Sequence, residues 1–174
     1  MKKSVLAGII VMALILSLPV GLNAQEIEDF DVEDLVAVAG LTYNTFDEAS
    51  DGPGIYLGAG IKATPEILVT GQYERFFTAD LALNGIAGTF TYDFSPLLPL
   101  DQDLPELFVI GGLGYYFGSL NNLSLSGMGV KVGAGAAQEV VDDIDIRASL
   151  AYRVLDADVS LSGFEVSAGI SYDF

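Results

Sequence analysis

The 174-residue sequence has no cysteine, no histidine and no tryptophan, and only 7 basic residues against 24 acidic ones. Without cysteine, no disulfide framework can hold an exported fold together, and attachment through an N-terminal lipidated cysteine is excluded. Without histidine or cysteine, the usual zinc ligand sets are missing, and so is the imidazole base that activates a serine nucleophile. Ser126, Ser160 and Ser162 therefore have no base to draw on, which leaves room only for a hydrolase built wholly on carboxylates. The shortage of basic residues argues against nucleic acid as a partner, because phosphate binding needs a basic surface.

Long hydrophobic runs are also scarce. The one present, Val5 to Leu18, has 14 residues, follows Lys2 and Lys3, and ends in Pro19, Gly21 and Ala24. It is shorter than the roughly 18 apolar residues of a spanning helix and reads as a secretory leader over residues 1–24, cleaved after Ala24. Lys2 and Lys3 leave with it. The remaining 150 residues suit one domain, with 5 basic residues, 24 acidic ones and a formal charge of −19.

Half of the residues are hydrophobic (51%), yet no second run could cross a membrane as a helix. A bilayer core admits only helices and closed barrels, since every backbone N–H and C=O needs a partner within the protein. A chain of this composition that enters a membrane must do so as a barrel.

Residues 25–34, QEIEDFDVED, carry six acids in ten positions and predict a loosely packed acidic arm. Beyond them the pattern has period two. In the last segment Phe164, Val166, Ala168, Ile170, Tyr172 and Phe174 alternate with Glu165, Ser167, Gly169, Ser171 and Asp173, the signature of a strand with one apolar and one polar face. The same alternation appears at 54–63, 67–77, 82–94, 127–137 and 144–154. Two further segments, 35–46 and 107–117, are apolar on both faces, so their facing is open. Strands of 10 to 13 residues suit a tilted membrane crossing of about 9 to 11. The connections are expected near 47–53, 64–66, 78–81, 95–106, 118–126, 138–143 and 155–162, marked by Asp, Gly, Pro, Asn and Ser. The longest, SPLLPLDQDLPE, is proline-rich and cannot pair in a ladder.

The ending Tyr172-Asp173-Phe174 has a counterpart 80 positions earlier in Tyr92-Asp93-Phe94. In an up-and-down barrel, strands four and eight run the same way and end at the same rim. Tyr92, Phe94, Tyr172 and Phe174 would then form part of an aromatic girdle at the membrane–water boundary.

This pattern resembles the small eight-stranded outer-membrane barrels, the OmpA-like and OmpX-like group, from about residue 35 to Phe174. The resemblance implies an all-β, eight-stranded antiparallel up-and-down transmembrane β-barrel (residues 35–174) in the outer membrane, monomeric and in contact with outer-membrane lipid. It also implies that Ala168, Ile170, Tyr172 and Phe174 form the C-terminal signal read by the barrel-assembly machinery. In one respect the chain departs from that group: its long connection, 95–106, falls on the periplasmic side, where turns are usually short.

Seven charged residues lie on the polar parity of their strands: Lys62, Glu74, Lys131, Asp145, Arg147, Arg153 and Glu165. In a closed barrel all seven point into a lumen barely wide enough for side chains, where unpaired charges are costly and ion pairs are expected. Strand direction predicts Glu74, Lys131, Arg153 and Glu165 in the outer half and Lys62, Asp145 and Arg147 in the periplasmic half. Such a network serves either to hold the interior together or to gate a narrow, weakly permeable passage. The inward glycines 58, 60, 112, 114, 129, 133, 135 and 169 either leave room for water or relieve crowding beside Tyr56 and Tyr116.

Other patterns carry less. Gly58, Gly60 and Ala63 fit G-x-G-x-x-A, but a dinucleotide site needs a following helix, and a strand with Pro65 follows instead. Asp47, Glu48 and Asp51 could hold calcium weakly or form a solvated acidic turn. Arg75, on the outer parity, is placed for a lipid phosphate or for a rim salt bridge with Asp80. No cofactor is implied. Two rival roles remain open: adhesion through the outer loops, and a soluble periplasmic lipocalin-like binding barrel with its apolar row turned inward.

Overall fold

A computed structural model describes residues 35–97, 104–121, 123–157 and 160–174. The expected leader and acidic arm lie outside these residues. Eight strands follow in order: β1 (Leu35–Phe46), β2 (Ala49–Thr64), β3 (Ile67–Phe77), β4 (Leu81–Asp93), β5 (Glu106–Leu120), β6 (Leu123–Val141), β7 (Ile144–Ala157) and β8 (Leu161–Asp173). Each pairs antiparallel with its neighbour in sequence. β1 closes the sheet against β8, from Val36 opposite Asp173 to Asn44 opposite Glu165. Closure leaves no edge strand, so the backbone donors and acceptors of the wall are satisfied within it.

The strands run longer than the alternation alone suggested. β6 has 19 residues and β2 has 16, because residues read as connections carry on the ladder. Ser119 pairs with Ser124 and Leu120 with Leu123. Four of the turns are only two residues long: 47–48, 65–66, 121–122 and 142–143. Two of them place Asn121 (φ 51°) and Asp143 (φ 68°) in the left-handed region, which the short polar side chains of Asn and Asp tolerate better than most. The register shifts between Asn44 and Phe46, Lys62 and Thr64, and Glu139 and Val141 sit beside these turns, where a bulge bends the strand end.

Both chain ends of the barrel lie at one rim, with the connection between β4 and β5. The eight-strand count thus stands together with the long connection on that side. The endings of β4 and β8 share this rim, as the repeated Tyr-Asp-Phe implied. Tyr172 and Phe174 meet edge-to-face there, with ring centroids 5.0 Å apart.

Facing is uniform around the wall. Leu41, Leu57, Ile86, Leu113 and Val132 on the outside are 62–66% exposed, whereas Glu74, Arg153 and Glu165 on the inside are at most 3% exposed. A soluble barrel would show the opposite arrangement, since it must bury its apolar row. The two strands apolar on both sides are settled as well: β1 turns Val36, Val38, Thr42, Asn44 and Phe46 inward, and β5 turns Phe108 and Tyr116 inward.

Candidate functional site in the barrel lumen

In the lumen, Glu74 of β3, Lys131 of β6, Arg153 of β7 and Glu165 of β8 converge. Arg153 donates one guanidinium arm to Glu74 Oε2 at 2.7 Å and the other to Glu165 Oε2. Lys131 Nζ bridges the same two carboxylates, at 2.8 Å to Glu74 Oε1 and 3.4 Å to Glu165 Oε1. Tyr116 donates its hydroxyl to Glu74 Oε2 at 2.9 Å. Two cations and two anions thus neutralise one another in a closed ring, the arrangement that a buried charge requires. The planar fork of arginine reaches two acceptors from one position, which an ammonium on a flexible stem does less well.

The ring is roofed by apolar side chains. Phe46, Phe76, Leu81, Leu83, Tyr116, Leu125, Leu155 and Leu161 form a buried cluster that fills the lumen toward the rim remote from the chain ends. The Arg153 guanidinium lies 4.9 Å from the Phe76 ring centroid and 5.1 Å from that of Tyr116, so its flat faces are covered by aromatic carbon. Bulky rings need room opposite them. A Cβ at Gly114 would stand 2.8 Å from the Tyr116 ring, and one at Gly129 would stand 2.6 Å from it. These glycines therefore accommodate Tyr116, and Gly40 and Gly169 do the same for Tyr56.

Below the ring the character changes. A chamber of about 40 Å³, walled partly by Thr70, Gln72, Thr89, Ser149 and Ser167, leads toward a second of about 120 Å³ at the mouth near the chain ends; both share Leu68, Thr91, Phe108 and Arg147. Hydroxyls there pair across the wall, Thr70 with Thr89 at 2.5 Å and Ser149 with Ser167 at 2.6 Å. Among the described residues the lumen is thus a polar vestibule toward the chain-end rim, sealed by charge and then by hydrocarbon at the other.

The seven charged residues on the polar parity fall into two groups in the structure. Four make the ring, and the other three lie in the vestibule half. Lys62 pairs with Asp173. Asp145 accepts from Ser171 Oγ at 3.1 Å. Arg147 lies over the Phe108 ring at 4.6 Å and has no carboxylate within ion-pairing distance among the described residues. Tyr116, Asn44 and Asp173 were not among the expected site residues. Asp173 stood on the polar row of the last strand and was legible there. Tyr116 stood beside inward glycines as a bulky ring, but the bond from its hydroxyl to Glu74 was not legible in the sequence.

Residues weighed for other roles do not assemble into sites. Gly58, Gly60 and Ala63 lie within β2 with no helix after them. Asp47 accepts from Ser162 Oγ at 2.6 Å, and no cluster of three carboxylates able to hold a metal ion occurs among the described residues. Asp80 accepts from the Ser50 backbone N–H at 2.9 Å and from the Thr78 hydroxyl at 3.0 Å rather than from Arg75. These two donors, the Ser50 N–H foremost, hold its carboxyl below the usual carboxylate range.

No family model matches the chain, and no curated protein matches it. Solved structures do. Neisserial surface protein A aligns with a TM-score of 0.68 at 17% identity, covering 81% of this chain and 97% of that one. The N-terminal β-barrel domain of Pseudomonas aeruginosa OprF aligns with a TM-score of 0.58 at 12% identity, covering 80% and 98%. Both are small eight-stranded outer-membrane barrels. At such identities the likeness is one of fold, and it agrees with the facing of the wall: this chain has the closed, all-β, up-and-down fold of the small eight-stranded outer-membrane barrels.

Proposed function

We propose that the protein is a non-catalytic, monomeric barrel of the bacterial outer membrane, with a structural role and a lumen closed at rest. The observation that carries this reading is the facing of the wall: apolar side chains outward on all eight strands and a neutral ring of buried charge inside. The outward rows supply the lipid contact. Ala168, Ile170 and Tyr172 of the outward row of β8, with Phe174 just beyond it, serve as its assembly signal, while Tyr92, Phe94, Tyr172 and Phe174 mark the periplasmic boundary. The connections at the opposite rim are two or three residues long, which supports a structural role over adhesion through large loops.

The test is folding and conductance together. Protein refolded in detergent should migrate differently on a gel with and without boiling, show β-type circular dichroism, and leave a planar bilayer silent. A second reading, a gated narrow passage, is favoured by the hydroxyl-lined chamber beneath the ring. It requires channel events that change in size when Arg153 or Arg147 is replaced by alanine. Monomeric solubility without detergent would overturn the membrane assignment.

A further inference from the structure

Of the five basic residues beyond the leader, four point into the lumen, and Arg75 alone faces outward from β3. Among the described residues it has no carboxylate within 4.0 Å. Of the two partners weighed for it, a lipid phosphate and Asp80, the acid is engaged by Ser50 and Thr78 instead. Its guanidinium lies against the Phe77 ring, 4.9 Å from the centroid, which holds it along the barrel wall and leaves its N–H edges free. Asn84 of β4 stands directly opposite Arg75 in the ladder. Its Oδ1 accepts from the Tyr73 hydroxyl at 2.7 Å, which leaves the amide Nδ2 as its remaining polar group, a donor.

The level of this pair on the wall gives it meaning. The next row toward the middle, Leu57, Tyr73, Ile86 and Tyr115, is apolar and exposed. Arg75 and Asn84 are the first polar outward residues above it, at the boundary of the greasy band. An outward arginine costs about 2–4 kcal/mol at the bilayer midplane and about 0–1 near the interface, so its place is where headgroups begin. A chain of net charge −17 repels anions at long range, and only a local contact can hold one.

We propose that Arg75, with Asn84 beside it, forms a binding site on the outer wall for a phosphate-bearing headgroup of a lipid in the leaflet at the rim remote from the chain ends. The planar fork of arginine matches phosphate oxygens two at a time, and Asn84 supplies a third donor. This inference rests on the proposed membrane placement, and the test separates the two.

Wild type, Arg75→Ala and Asn84→Ala are refolded in detergent, their folding is checked by heat-modifiable migration, and each is mixed with phosphorylated lipid A, with its dephosphorylated counterpart, and with inorganic phosphate as competitor. Bound lipid is counted by native mass spectrometry. Wild type is expected to retain one phosphorylated lipid A about tenfold more tightly than Arg75→Ala, the scale of a charge-assisted hydrogen bond. Asn84→Ala should fall between them, and the dephosphorylated lipid should not distinguish the three. Equal retention by folded wild type and folded Arg75→Ala overturns the site and leaves the barrel reading intact. Displacement by millimolar inorganic phosphate overturns the lipid as occupant. A wild type that does not fold into detergent at all overturns both.

Discussion

Replacing Arg153 with methionine tests the ring of buried charge most directly. The substitution keeps an unbranched apolar stem of similar length, so packing against Phe76 and Tyr116 is largely retained while the guanidinium is lost. Glu74 and Glu165 are then left with Lys131 alone, one cation for two carboxylates that are 2–3% exposed. Removing one member of a buried pair costs about 3–5 kcal/mol, chiefly because the charge left behind is uncompensated. The double variant Arg153→Met/Glu165→Gln restores balance, since Lys131 and Tyr116 still serve Glu74 at 2.8 and 2.9 Å. It should therefore regain at least about 2 kcal/mol over the single variant, a coupling of the size seen between groups of one network. Urea unfolding of barrel refolded into phospholipid vesicles, followed by circular dichroism and by gel mobility, measures both; the chain has no tryptophan to report on folding. If Arg153→Met costs less than about 1 kcal/mol, or the two substitutions simply add, the four charges do not act as a unit.

Further outcomes follow from the same geometry. Gly129→Leu should destabilise by about 1–3 kcal/mol through overpacking, because its Cβ meets Tyr116 and Leu155, whereas Gly88→Ala, which meets nothing within 4 Å on the outer wall, should stay within about 0.5 kcal/mol in the same unfolding assay. Tyr116→Phe leaves Glu74 without one donor and should cost about 1.5–3 kcal/mol, the worth of a hydrogen bond to a charged group. Asp80 titrates below the usual carboxylate range, so its hold on the Ser50 N–H is complete above that range and fades as pH falls through the lowered value; the Ser50 amide, followed by NMR, should lose protection there, and Asp80→Asn should abolish that pH response. In cells, Phe174→Ala should lower the yield of heat-modifiable barrel without changing the stability of refolded protein, if the last residue serves assembly.

The alternation of Phe164 to Phe174 and of the five segments like it determined an all-β chain with one greasy and one polar row, because side chains on a strand point to opposite faces in turn whatever the strand is packed against. Which way the greasy row faced stayed open between a membrane barrel and a soluble one, and the exposure of Leu41, Leu57, Ile86, Leu113 and Val132 on the closed wall decided it. Local pattern could go no further where it lost contrast. β1 is apolar on both sides, and only closure, which sets Gly40 opposite Gly169, decides that Asn44 looks inward; in β5, where inward glycines already stood beside Tyr116, closure adds Gly129 opposite Gly114. The ring was half legible: parity marked Glu74, Lys131, Arg153 and Glu165 as inward, and strand direction put all four in the outer half of the lumen. Which charge meets which depends on the stagger of four strands around a closed wall, and one residue of slip would carry a side chain to the other face. Tertiary structure alone therefore assigned Arg153 to both carboxylates, sent Lys62 to Asp173, and tied Asp80 to Ser50 rather than to Arg75.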